Sequence, residues 1–195
     1  MNSELREDPR TAIVVSLGIM ALVAAITLMM SAPFLALFGG GYAYRGLIHG
    51  VSASLLMVAA TVGLYQAYRL WFGGHPSLTE LKAGSVAYVV AALATTISGN
   101  WIYIPYRANV PDSPRSYFLA NSPEIHKVWF EFKEFSALFV LPLTVLIAYL
   151  IFSYRDDLLA SKGLRRFTAA ALVLAFFYFA VAFGLGAAVT KLKSV

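Results

Sequence analysis

The chain has 195 residues, 59% of them hydrophobic and 13% charged, with a mean hydropathy of +0.72; soluble domains do not have this composition, and it marks an integral membrane protein. The formal net charge of +5 is spread over the loops and both termini rather than gathered into a stripe, which argues against a nucleic-acid surface. With no cysteine, the chain has no disulfides, iron–sulfur clusters, thiolate zinc sites or covalently attached c-type haem.

Stretches free of Asp, Glu, Lys and Arg run over 11–44, 46–68, 83–106, 135–154 and 167–190. A helix rises ~1.5 Å per residue and the hydrocarbon layer is ~30 Å thick, so each stretch is long enough to cross it. The pattern predicts an all-α, polytopic membrane helix bundle forming a single domain over 1–195. Its five transmembrane helices fall at roughly 11–38, 46–72, 78–106, 122–154 and 166–190.

The first stretch exceeds the apolar core of a secretion signal, and Glu4, Arg6, Glu7, Asp8 and Arg10 flank it with both signs of charge. It reads as a retained anchor, bent by Pro33 and stopped at Gly39-Gly40-Gly41.

The second helix opens on Tyr44-Arg45-Gly46 and carries His49, beside Gly46 and Gly50. Below His49, steps of three or four residues give Ala53, Leu56, Ala60, Gly63 and Ala67, a stripe with little bulk near the imidazole. One reading is flat space for a porphyrin beside an axial His; the other is close packing of helices, with the ring bonded at their interface.

His75, in Gly73-Gly74-His75-Pro76, reads as a loop residue. The third helix begins at a capping box, Ser77-Leu78-Thr79-Glu80. One face of it reads Ala92, Thr95, Thr96, Gly99, Asn100 and Tyr103, expected as hydrogen-bonding glue between helices or as contacts to a cofactor edge or a quinone carbonyl. Residues 107–120, with Pro111 and Pro114, are expected as a turn-rich cover on the outer face.

Ser122-Pro123-Glu124 starts the fourth helix. His126 follows at once, nine residues before the uncharged run begins at Phe135, or ~13 Å by the helical rise. Lys133 lies seven residues beyond His126 on nearly the same face, and Lys127 and Glu131 form an i,i+4 pair. On helix five, Ala180, Gly184 and Ala188 form a packing ridge.

Basic residues divide almost evenly between the two sets of loops. The dense short loop from Arg155 to Arg166 places the N-terminus in the cytoplasm and the C-terminus outside. The chain carries no hydrolase, kinase, dinucleotide or paired-carboxylate motif, and no span has a central acid or lysine of the kind transporters use.

Arg45-Gly46-x-x-His49-Gly50 opening one helix and His126 opening another resembles the layout of small bacterial b-type cytochrome membrane subunits. Such subunits shuttle electrons between quinones and periplasmic proteins. The resemblance implies at most one haem b, because the chain has 3 histidines and His75 lies on the opposite side. Its axial metal ligands would be His49 and His126, with Arg45 or Lys133 meeting the propionates. Gly46, Gly50, Asn100 and Tyr103 would lie around the ring. The expected function is electron transfer to or from a periplasmic redox protein, with a quinone as a further ligand. The partners are the lipid bilayer and other membrane subunits, not nucleic acid. The competing expectation is a cofactor-free accessory or assembly subunit.

Overall fold

The structure is a computed structural model and describes residues 41–74, 76–111 and 113–192. All regular secondary structure among the described residues is helical, without strands. They form α1 (Tyr42–Phe72), α2 (Leu78–Tyr106), the short α3 (Pro114–Asn121), a π-helical turn (Ile125–Phe130), α4 (Glu131–Ala160) and α5 (Lys162–Leu192). Four helices are long and apolar enough to cross a membrane: α1, α2, α4 with the π-turn, and α5. The expected span at 11–38 lies outside the described residues, as does His75.

The lipid-facing nature of the bundle is plain on α1, where Leu47, Val51, Leu55, Val58 and Val62 are all exposed on successive turns. A row of bare aliphatic side chains this long calls for an apolar neighbour, lipid or another membrane helix. The opposite side of α1 buries Ala53, Leu56, Ala60, Gly63, Ala67 and Leu70. The helices pack in a ring, α1 on α2, α2 on α4, α4 on α5 and α5 back on α1. The small-residue stripe lets them approach closely. A side chain on Gly63 would meet Leu172 of α5 and the Tyr88 ring of α2, each at 3.2 Å. Helix packing therefore fills the stripe, and van der Waals contact supplies the association that hydrophobicity cannot supply inside lipid.

Local signals explain the boundaries. Ser77 accepts from the Glu80 N–H at 3.1 Å and the Glu80 carboxylate accepts from the Ser77 N–H at 2.8 Å, so both arms of the capping box are made. Gly73 closes α1 at φ 83°, a left-handed position that glycine takes without cost. α1 starts at Tyr42, a turn earlier than expected, so Arg45 lies inside the helix and is buried. α5 begins at Lys162, also a turn early.

Two departures from expectation concern the fourth helix. The expected cover contains a helix of its own, α3, capped by Ser113, whose Oγ accepts from the Ser116 N–H at 3.2 Å, with Pro114 in its first turn. α4 runs to Ala160 but breaks at Arg155, where φ 44° and ψ −118° are non-helical. The break falls where the uncharged run ends. At the other end Tyr106, Phe118 and Phe130 form a small second core, packed by Tyr42, Tyr103, Ile125 and Val189.

Candidate functional site

The two histidines singled out by sequence sit in different surroundings. His49 is half-buried against α2, with Nδ1 3.1 Å from Ser98 Oγ. The Ser98 hydroxyl has one proton and two carbonyls of its own helix within reach, Ala94 O at 2.8 Å and Thr95 O at 3.1 Å. With that proton on the shorter bond, Ser98 accepts from His49, and in this arrangement Nδ1 carries hydrogen and Nε2 keeps its lone pair. Gly99 makes the approach possible, since a Cβ there would lie 3.1 Å from His49 Cε1.

His126 is buried on the π-turn with both ring nitrogens engaged. Arg115 Nε donates to Nε2 at 3.2 Å, and a guanidinium can only donate. Nε2 is thus the acceptor, and Nδ1–H donates to the Tyr106 hydroxyl at 3.0 Å. Phe130 stacks on Tyr106 at 4.2 Å between ring centroids and flanks the imidazole at 5.9 Å.

Around His126 runs a chain of polar groups joining α2 to the start of α4. Arg107 pairs with Glu131 at 3.2 Å and Glu134 at 3.8 Å, and the Tyr103 hydroxyl donates to Glu134 at 3.1 Å. The Arg107 guanidinium also lies over the Tyr103 ring at 4.6 Å. Glu131 Oε1 is 3.9 Å from His126 Nε2. Glu131 thus pairs across helices with Arg107 rather than along its own helix with Lys127, which is exposed. Arg107 and Glu131 are 44% and 49% exposed, so their ion pair orients more than it stabilises.

The structure does not bring the two imidazoles to a common anchor. Ser98 holds one and Tyr106 the other, eight residues apart on α2, a rise of ~12 Å. No group of three or more His, Asp or Glu able to hold a metal occurs among the described residues.

The remaining expected site residues divide as follows. Arg45 donates from Nη1 to Trp101 O at 3.2 Å, with its guanidinium 5.2 Å from the Trp101 ring centroid. Lys133 is half-buried, its Nζ 5.5 Å from the Phe130 ring centroid, and its stem passes beside Gly186 of α5. Gly46 packs near Ile102, whereas Gly50 opens onto a shallow lipid-facing groove with Val51 and Ser54. Asn100 is exposed and donates to Thr96 O of its own helix at 3.0 Å. Thr95 and Thr96 bond Ala91 O and Ala92 O in the same way, so these three do not act as the expected interhelical glue.

Ser98, Tyr106, Arg107, Arg115 and Glu131 hold the histidines and the surrounding network, and sequence reasoning named none of them as site residues. Ser98 is buried on α2, but a step of six residues from Ala92 turns the helix by roughly 240°, so spacing along the expected face gave no signal for it.

Comparison with protein-family models, with curated proteins and with solved structures gives no match for this chain.

Proposed function

We propose that the chain is a membrane-embedded electron-transfer subunit that holds one haem b through His49 and works within a larger complex alongside a periplasmic redox partner. The carrying observation is the Ser98 bond. A histidine whose Nδ1–H is held by a fixed acceptor is oriented and has its Nε2 lone pair available, the state in which imidazole serves as an axial ligand. Haem held there supplies one-electron transfer.

The fit is partial. His49 meets the requirement as it stands. His126 has the matching tautomer, with Nδ1–H on Tyr106, but Arg115 occupies its Nε2. Its service as the second ligand requires Arg115 to leave and the ring to move to the level of His49. Lys133, with no ion pair among the described residues, is better suited than Arg45 to meet a propionate, because Trp101 already holds Arg45. A quinone gains no support from Tyr103, which is given to Glu134, or from Asn100. The bacterial inner membrane is what the resemblance implies, and the cytoplasmic N-terminus rests on the basic loop at 155–166.

A cofactor-free accessory or assembly subunit is the second reading, and a separate observation favours it. The stripe below His49 is closed by Tyr88 and Leu172, leaving the bare aliphatic face of α1 for other membrane chains.

Absorption spectra of the purified protein, oxidised and then reduced with dithionite, separate the two. A sharp reduced α-band that disappears in His49→Ala is the expected result. A featureless spectrum from protein purified out of haem-replete cells removes the haem reading and leaves the second.

A further inference from the structure

At the opposite end of the bundle from the histidine network, α1 and α5 part to leave an open groove of about 950 Å³. Its floor is made by small residues, Ala67, Ala169 and Ala170, and its walls by exposed Tyr68, Trp71 and Phe177. On α1 the groove runs from Leu64 to Phe72 and on α5 from Ala169 to Phe177, nine residues each, or ~12 Å by the helical rise over eight steps. That is close to the ~15 Å depth of a single leaflet, half of the hydrocarbon layer. A transmembrane helix packed alongside would call for a seam through both leaflets; an acyl chain needs one.

The rim of the groove is positive. Arg166 sits with its guanidinium 5.3 Å from the centroid of the Trp71 ring, at the end of the groove where the uncharged runs of α1 and α5 stop. Lys162 and Arg165 share the first turn of α5 with no acidic residue in it, and no acidic residue lies in the last turn of α1. Stacking on Trp71 holds Arg166 beside the groove mouth with its N–H edge open to an acceptor. An apolar channel one leaflet deep, ending at a fixed guanidinium, has the chemistry of a phospholipid with an anionic headgroup: tail against the alanines, phosphate on Arg166.

We propose that the α1–α5 groove is a binding site for one anionic phospholipid. This site is separate from the histidine region and goes beyond the electron-transfer reading, and it stands whether or not haem is bound.

Native mass spectrometry of the full chain, released from detergent after addition of phosphatidylglycerol or phosphatidylcholine, tests it. The wild-type protein is expected to retain phosphatidylglycerol several-fold better. Arg166→Gln should erase that preference while leaving tail-dependent adducts of both lipids. Ala170→Trp fills the groove from an exposed position and should suppress both adducts at an unchanged melting temperature. Equal retention of the two lipids by the wild type, or adducts indifferent to Ala170→Trp, overturns the proposal. A doubled mass abolished by Ala170→Trp also overturns it, by making the occupant a second copy of the chain.

Discussion

The side-chain amide of Gln66, buried on α1, donates across the helix interface to the main-chain carbonyl of Glu80 at 2.9 Å. The bond is possible because the facing residue on α2 is Gly84; a Cβ there would collide with the Gln66 amide. One missing side chain thus admits a polar tie between the first two helices, close to the capping box that starts α2.

Gly84→Ala should therefore destabilise the protein by ~1 kcal/mol, the cost of one displaced buried hydrogen bond, since the atoms in the way are the flexible end of the Gln66 side chain. Gly50→Ala meets nothing within 4 Å and should be neutral or slightly stabilising, since alanine favours the helix. Thermal unfolding in detergent, followed by circular dichroism, compares the two. Equal losses would show that Gly84 is not held for the amide.

Ser98→Ala removes the acceptor that fixes the His49 tautomer. If His49 ligates haem, the reduced α-band should shift or broaden and the midpoint potential move, because the ligand loses its orienting bond. Without haem the change reduces to one lost hydrogen bond, ~1 kcal/mol, with no spectral signature. Ser98→Thr keeps the hydroxyl and should restore the spectrum.

At the other histidine, Tyr106→Phe leaves a buried Nδ1–H without its acceptor and should cost ~1–3 kcal/mol. Arg115→Ala frees Nε2 of His126. In the haem reading it should strengthen haem retention, since ligation no longer competes with the guanidinium. Unchanged haem content in Arg115→Ala would exclude His126 as the partner ligand.

How far this could be read from the sequence depended on the range of the interaction. The capping box and the start near Pro123 were legible, because each is set by residues within a few positions of one another. The small-residue stripe was legible as a stripe, but whether it holds a porphyrin or a neighbouring helix turned on Tyr88 and Leu172, which come from two other helices. The fate of His126 was hidden for the same reason. Its acceptor Tyr106 is 20 positions away and its donor Arg115 sits on a short helix whose orientation no local rule fixes. Ser98 was passed over because a serine in a membrane helix usually bonds its own backbone, and this one does so while also accepting from His49.

Arg155 offers a test of backbone strain. Its φ of 44° lies where an L-residue is disfavoured, and such positions store ~1–3 kcal/mol. Arg155→Gly should raise the melting temperature, against the usual cost of glycine near a helix, unless the loss of the Arg155 Nε bond to Phe152 O at 3.3 Å outweighs the relief. Arg155→Ala, which loses that bond and keeps the strain, isolates the two effects.

The π-turn over Ile125–Phe130 takes in one residue more than an α-helical path uses. The turn has no place for another, so an alanine inserted after Val128 would swing everything upstream through roughly 100°. The intramembrane register of α4 would be untouched, yet the imidazole would be carried off its phenol and the short surface helix off its mooring. Quickened tryptic cleavage after Arg115 would register the change: a single codon decides whether this cap is fastened to the bundle beneath it.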